Sequence, residues 1–151
     1  MNKIILFFSS IAGLGYIKYA SGTFGSLVGI LLWELFIPDS CYIFQGFALL
    51  IVTIFAVLFS TLAENIYNKK DDRRIIIDEF AGMWISVAFL PKTFLFLFLG
   101  FVLFRILDTR KPLFIRKFHE MKNILSVTID DVISAIFSNI VLQIIRFIIF
   151  N

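Results

Sequence analysis

The sequence predicts an all-α fold: a multi-spanning membrane helical bundle of about four to five transmembrane or half-spanning helices, preceded by an N-terminal interfacial segment. Three observations predict it. Apolar residues make up 60% of the 151 positions, with 20 Phe, and the mean hydropathy is +0.94, well above a soluble domain. The excess is gathered into long runs, as a bilayer requires. Basic residues fill alternate loops between those runs, while acids stand at their edges. No repeat, linker or boundary divides the chain, so residues 1–151 are read as a single membrane-embedded domain.

The start, Met1-Asn2-Lys3 followed by Ile4–Phe8, imitates a secretory signal. Its apolar core is too short before Ser9-Ser10, so an interfacial or re-entrant segment is expected. The first apolar stretch is Phe24–Ile37, interrupted by Glu34. The second, Ile43–Ala63, is the cleanest spanning helix. The third is Ile75–Leu90, broken by Asp78-Glu79 and stopped by Pro91. The fourth is Phe94–Leu107, with Arg105 near its end, and the fifth is Val132–Phe150, with Arg146 near its end. The first and third are short for a ~30 Å hydrocarbon core, so either is strongly tilted or half-spanning.

If all five cross, one side carries Lys3, Lys18, Lys69, Lys70, Arg73, Arg74, Arg105, Arg110, Lys111, Arg116, Lys117 and Lys122. The other carries only Lys92 and Arg146. Basic loops stay in the cytoplasm, so the N-terminus lies inside and the C-terminus outside. Every polar cluster then faces the cytoplasm together. The one cysteine, Cys41, excludes an internal disulfide and a cysteine metal cage, and the one histidine, His119, argues against a His-rich metal site.

Four clusters carry the chemistry. Ser21-Gly22-Thr23-Phe24-Gly25-Ser26 precedes the first stretch. A glycine-rich helix start can cradle phosphate on free N–H groups, or serve as a capped, closely packed helix end. Asp78-Glu79-Phe80-Ala81-Gly82-Met83-Trp84 places Asp78 and Gly82 on one helix face. The acids can bind a ligand or complement the helix dipole, and Trp84 is more simply a packing residue. In Phe104-Arg105-Ile106-Leu107-Asp108-Thr109-Arg110-Lys111-Pro112, Arg105, Asp108 and Lys111 recur every three residues, and Pro112 ends the helix. Cations beside an acid suit a metal-bound phosphate, or an Arg105–Asp108 pair alone. Asp130-Asp131 stands immediately before the fifth helix, with Ser134 and Ser138 continuing a stripe from Asp130. An Asp there can cap the helix or ligate a metal.

An ionised carboxylate at mid-bilayer costs about 2.5–3.5 kcal/mol even on the gentlest scale. Five of them beside apolar runs imply a task. Hard oxygen donors without His or Cys select Mg²⁺, with Mn²⁺ as the alternative, over Zn²⁺. A membrane enzyme acting on a charged lipid head group is the expected class.

With these clusters in this order, the chain resembles the phosphatidylglycerophosphatase A family. The matching pieces are Gly22-Thr23-Phe24-Gly25-Ser26, then Ile77-Asp78-Glu79 with Gly82-Met83-Trp84. Phe104-Arg105-Ile106-Leu107-Asp108 with Lys111-Pro112 and Ile115-Arg116 follow, and finally Ile129-Asp130-Asp131. The match runs from about Ala12 to about Val141. It departs at Ser21 and Phe114, where the family usually has proline, and at Asn123–Val127 and Ala135, where it has glycines. The resemblance implies a Mg²⁺-dependent phosphatase of the bacterial inner membrane, with its site facing the cytoplasm. Its substrate would be the phospholipid phosphatidylglycerophosphate, with phosphatidylglycerol and inorganic phosphate as products. The implied catalytic and metal-binding residues are Asp78, Glu79, Asp108, Asp130 and Asp131. Gly22, Thr23, Gly25, Ser26, Arg105 and Lys111 are the phosphate-binding candidates. Either a metal-activated water or a carboxylate attacks phosphorus.

Other phosphate chemistries lack their residues. A phosphohistidine mechanism needs two histidines, a cysteine phosphatase needs Cys-x5-Arg, and neither Asp-x-Asp nor the CDP-alcohol array of Asp and Gly is present. No nucleic-acid partner is expected. The rival class is a small cation transporter or channel subunit, kept open by Glu34 within an apolar run.

Overall fold

The computed structural model describes residues 2–110 and 126–150. Among them six α-helices follow one another: α1 (Asn2–Ser9), α2 (Ser21–Phe36), α3 (Tyr42–Tyr67), α4 (Ile77–Val87), α5 (Phe94–Arg110) and α6 (Ser126–Phe150). A single 3₁₀ turn lies at Leu14–Tyr16.

Two helices, Tyr42–Tyr67 and the Thr128–Phe150 part of α6, are long and apolar enough to cross a membrane, yet only 17% and 22% of their apolar windows are buried within the molecule. A core helix of a soluble protein would be covered. Here Phe47, Ile54 and Leu58 of α3, and Ile140, Ile144 and Phe147 of α6, face outward, as lipid-facing side chains do. The protein is a membrane-associated helical protein. At 1.5 Å per residue α3 extends ~39 Å, more than the ~30 Å hydrocarbon core, whereas α2 reaches ~24 Å and α4 only ~16 Å.

Helix boundaries differ from the apolar runs in instructive ways. The first helix starts at Ser21, three residues before the run, because Ala20 turns the chain in the left-handed region (φ 54°) and no side chain caps the helix. Ser21 instead donates its hydroxyl to the Arg73 carbonyl (2.7 Å). In α4 the acids Asp78 and Glu79 form the first turn rather than an interruption, and the helix ends at Val87, before Pro91. The last helix begins at Ser126. Asp130 and Asp131 therefore lie inside it, not ahead of it, so neither is its N-cap.

The short helix α4 is the hub, packed by α2, α3, α5 and α6. Gly25 and Gly29 bring α2 alongside it, the former against Ile76 and the latter against Met83 and the Phe80 carbonyl. These contacts run start to start, so α2 and α4 are parallel. The opposite sense holds for α5: Phe104 toward its end meets Gly82 in the middle of α4, while Gly100, earlier in α5, meets Val87 at the end of α4. Trp33, Met83, Val87, Phe104 and Ala135 form the shared core of these elements.

Both ends of this hub are tied down by polar contacts. At its start, the Ile76 N–H donates to the Ser9 carbonyl (2.9 Å), and Gly15 packs directly on the Arg74 carbonyl. Asp72 grips Arg74 through two bonds of 2.7 and 3.0 Å, and the Arg74 guanidinium lies 3.6 Å over the Tyr67 ring. At its far end, Asn139 donates its amide to the Ser86 and Ala88 carbonyls (3.0 and 2.9 Å). Arg146 donates to the Phe89 carbonyl (3.0 Å), and the Gln45 carbonyl accepts the Phe89 N–H (2.9 Å). Lys92 closes the end of α2 through the Trp33 and Glu34 carbonyls (2.8 and 2.9 Å). Backbone groups at a helix end lack partners within the helix, and these side chains supply them.

Candidate metal centre at the acidic end of the bundle

Parallel and antiparallel packing brings the starts of α2, α4 and α6 and the end of α5 to one face. The side chains there form the site. Asp78 and Glu79 come from the first turn of α4 and Asp131 from the second turn of α6. One carboxylate oxygen from each lies within 4.8 Å of the other two. Asp78 and Asp131 are buried, at 4% and 5% exposure. The Asp78 carboxylate accepts the Glu79 N–H (3.3 Å). The Glu79 Oε2 is buried with no hydrogen-bond partner. Three crowded carboxylates repel one another unless a cation or protons intervene.

The remaining candidates ring this triad. Asp108 holds Arg105 in an ion pair of 2.8 Å. Arg105 in turn stands beside Gly22. A Cβ built at Gly22 would strike the Glu79 carboxylate and lie 3.2 Å from the Arg105 Nη1. The first turn of α2 thus reaches both the acid and the cation only because Gly22 has no side chain. Asp130 is fully buried on α6 but outside the close triad, since successive helix residues point about 100° apart. Thr23 is half-buried. Gly25 packs on Ile76, and the Ser26 hydroxyl bonds the Gly22 carbonyl (3.1 Å). Lys111 and Pro112 lie outside the described residues, as do the Ile115-Arg116 pair and His119.

Sequence singled out Gly82, but not its contact with Phe104. Phe104 fills the space at Gly82, whose Cβ would sit 2.5 Å from the ring and 3.5 Å from the Asp131 carbonyl. This close contact sets how near α6 brings Asp131 to α4. The far-end caps Gln45, Asn139 and Gln143 were also passed over, although their cost inside apolar runs is itself a signal. Trp84 packs on Trp33 and Phe80 and donates its indole N–H to the Gly29 carbonyl (2.9 Å), a structural role. Glu34, the residue a cation path would need, is exposed near the far end of α2, away from the acids.

The fold and the site define a class: an all-α membrane-associated protein with three carboxylates, at one helix-end face, close enough together to hold a metal ion. Comparison with known proteins gives the class its name. The chain matches the family described as Phosphatidylglycerophosphatase A over residues 7–146 and belongs to that family of lipid phosphatases. Phosphatidylglycerophosphatase A of Escherichia coli is 35% identical over 130 residues, covering 83% of this chain and 74% of that one. The protein of the same name from Haemophilus influenzae is 33% identical over 138 residues, covering 89% and 84%. A putative phosphatidylinositol-3-phosphatase of Bacteroides thetaiotaomicron is 29% identical over 143 residues, covering 91% and 90%. No solved structure gives a significant match.

Proposed function

We propose that this chain is a Mg²⁺-dependent phosphatidylglycerophosphatase. It hydrolyses the terminal phosphomonoester of phosphatidylglycerophosphate to phosphatidylglycerol and inorganic phosphate, serving phospholipid biosynthesis at the cytoplasmic face of the bacterial inner membrane. The observation that carries this reading is the convergence of Asp78, Glu79 and Asp131 from two helices, with Glu79 Oε2 buried and unpartnered. The names of the two relatives at 33–35% identity support the choice of substrate.

The donor set fits a hard cation. Asp78, Glu79 and Asp131 offer the carboxylates from which Mg²⁺ would draw its one or two protein ligands, beside substrate phosphate and water. Asp108 and Asp130 complete the acid set proposed for metal and catalysis. When bound, the metal polarises a phosphoryl oxygen and makes water a better nucleophile. Arg105, held by Asp108, donates to phosphate oxygens and stabilises the charge that grows on the transferring group. Gly22 and Thr23 open the first turn of α2; the Ala20 carbonyl takes the Thr23 and Phe24 N–H groups (3.0 and 3.3 Å), which leaves those of Ser21 and Gly22 to suit an anion. Gly25 and Ser26 shape that turn, and Lys111 adds a second cation. The attacking group is water or one of the acids, and a phospho-enzyme trapped by rapid acid quench would assign the latter.

Orientation rests on charge. Lys18, Lys69, Arg73 and Arg74 lie in the loops at the acid end, whereas Lys92 and Arg146 cap carbonyls at the opposite end. Basic loops mark the cytoplasmic side. The chain is read as five transmembrane or half-spanning segments, α2 to α6, of which α2 and α4 are the short ones, with α1 at the interface.

The deciding experiment is phosphate release from phosphatidylglycerophosphate by purified protein, with and without Mg²⁺. Turnover that survives chelation would remove the metal from the scheme. Faster release from phosphatidylinositol 3-phosphate would replace the substrate. Asp78→Asn and Asp131→Asn are each expected to abolish turnover while insertion into the membrane stays normal. Near-normal rates in both would leave those acids as helix-end residues.

A further inference from the structure

We propose that Ser21 is a positioning residue for the phosphate-gripping turn, its hydroxyl fixing where Gly22 stands against Glu79 and Arg105; this rests on the lipid-phosphatase reading above. Ser21 is buried, at 7% exposure. Its hydroxyl does not cap its own helix but donates at 2.7 Å to the Arg73 carbonyl, in the loop that leads into α4.

Ser21, Gly22, Gly25 and Gly29 share one face of α2, within about 100° of arc. Gly22 meets Glu79, Gly25 meets Ile76, and Gly29 meets Met83 and the Phe80 carbonyl. The three glycines let the elements approach but offer no side chain to hold them there. Among the described residues, two hydrogen bonds pin this face to α4 and its leading loop: Ser21 to the Arg73 carbonyl at the acid end, and the Trp84 indole to the Gly29 carbonyl farther along. The two points lie ~12 Å apart on α2. With the Trp84 pin alone, the first turn of α2 is free to swing against α4. Gly22 stands in that turn at the closest approach, where a Cβ would strike the Glu79 carboxylate and lie 3.2 Å from the Arg105 Nη1. No side chain caps the turn from within, since its N-cap is Ala20. The loop that Ser21 grips is itself fixed: the Arg73 guanidinium donates to the Lys18 carbonyl (3.4 Å), and the Ile76 N–H to the Ser9 carbonyl (2.9 Å). Ser21 therefore ties the turn that faces phosphate to a set point just ahead of the acids.

The test separates grip from folding. Ser21→Ala removes the hydroxyl, Ser21→Thr keeps one, and Trp84→Phe removes the other pin. With phosphatidylglycerophosphate as substrate, KM and the inhibition constant of inorganic phosphate are each expected to rise about tenfold in Ser21→Ala, while kcat stays within about threefold. Ser21→Thr should bring both constants back to within about threefold of wild type, and Trp84→Phe should leave them there even where it melts lower. A defect of folding alone removes active protein, which lowers kcat and moves neither constant. That result, or wild-type kinetics in Ser21→Ala, would overturn the proposal. So would equal rises in Ser21→Thr or in Trp84→Phe. Wild-type protein that releases no phosphate would sink the enzyme reading instead. In that event the pin is read directly, from the distance between spin labels at Phe24→Cys and Lys70→Cys, both exposed positions, in a Cys41→Ser background. A distribution that Ser21→Ala broadens and Ser21→Thr restores supports the pin, and one that Ser21→Ala leaves unaltered refutes it.

Discussion

Replacing Gly22 by alanine should disable the site while leaving the bundle folded. The added methyl would lie inside van der Waals contact of the Glu79 carboxylate, at 3.0 Å from its Cδ, where ordinary contact begins at 3.4 Å. Arg105 blocks the other side at 3.2 Å. Glu79 must therefore withdraw from the position that places its oxygen within 4.8 Å of Asp78 and Asp131. Such a shift of a group proposed to hold the metal should weaken apparent Mg²⁺ affinity about 10- to 100-fold and lower kcat on the order of 100-fold. The overpacking itself should cost about 1–3 kcal/mol of stability. Mg²⁺ titration of phosphate release and thermal unfolding in the same detergent measure the two effects separately. Wild-type kcat and wild-type Mg²⁺ dependence in Gly22→Ala would refute the claim that this turn meets a working acid.

Three further outcomes follow from contacts elsewhere. Gly82→Ala sets a methyl against the Phe104 ring and should destabilise by about 1–3 kcal/mol, with Phe104→Leu in the same chain restoring part of the melting temperature and of the turnover. Asn139→Ala leaves the Ser86 and Ala88 carbonyls short of a donor in an apolar setting and should cost about 1–3 kcal/mol in unfolding experiments, whereas Asn139→Asp cannot donate and should not restore it. The Arg74 guanidinium holds the Asp72 carboxyl down to about 2, below its ordinary value of ~3.9. A carboxyl depressed in the folded state stabilises at pH above its unfolded value and loses that contribution as pH falls toward 2. Asp72→Asn should thus melt lower than wild type at pH 7, and the difference should shrink between pH 4 and about pH 2; a constant difference would contradict the pairing.

Composition and charge pattern were enough to place the acids. A carboxylate beside an apolar run is expensive wherever it goes, and the positions of Asp78, Glu79, Asp108 and Asp131 carried that information without any fold. Their meeting at one end followed from counting crossings. The choice between Asp130 and Asp131 was not legible, because it depends on the rotation of α6, and the rotation depends on how Phe104 fits Gly82 between distant segments. The start of α2 was misjudged for a related reason. Ser21 looks like a local cap, but its partner, the Arg73 carbonyl, is remote in sequence. The far-end caps from Gln45, Asn139 and Lys92 likewise join segments whose pairing no local period encodes.

The bond from the Ile76 N–H to the Ser9 carbonyl, with Gly15 seated on the Arg74 carbonyl, has a consequence for biogenesis. The segment ending at Ser9 has no finished resting place until the stretch around residue 75 has been synthesised and has doubled back to it. A bulky fusion ahead of Asn2 would therefore disturb the late assembly of the acidic end, even though it is attached far from any acid.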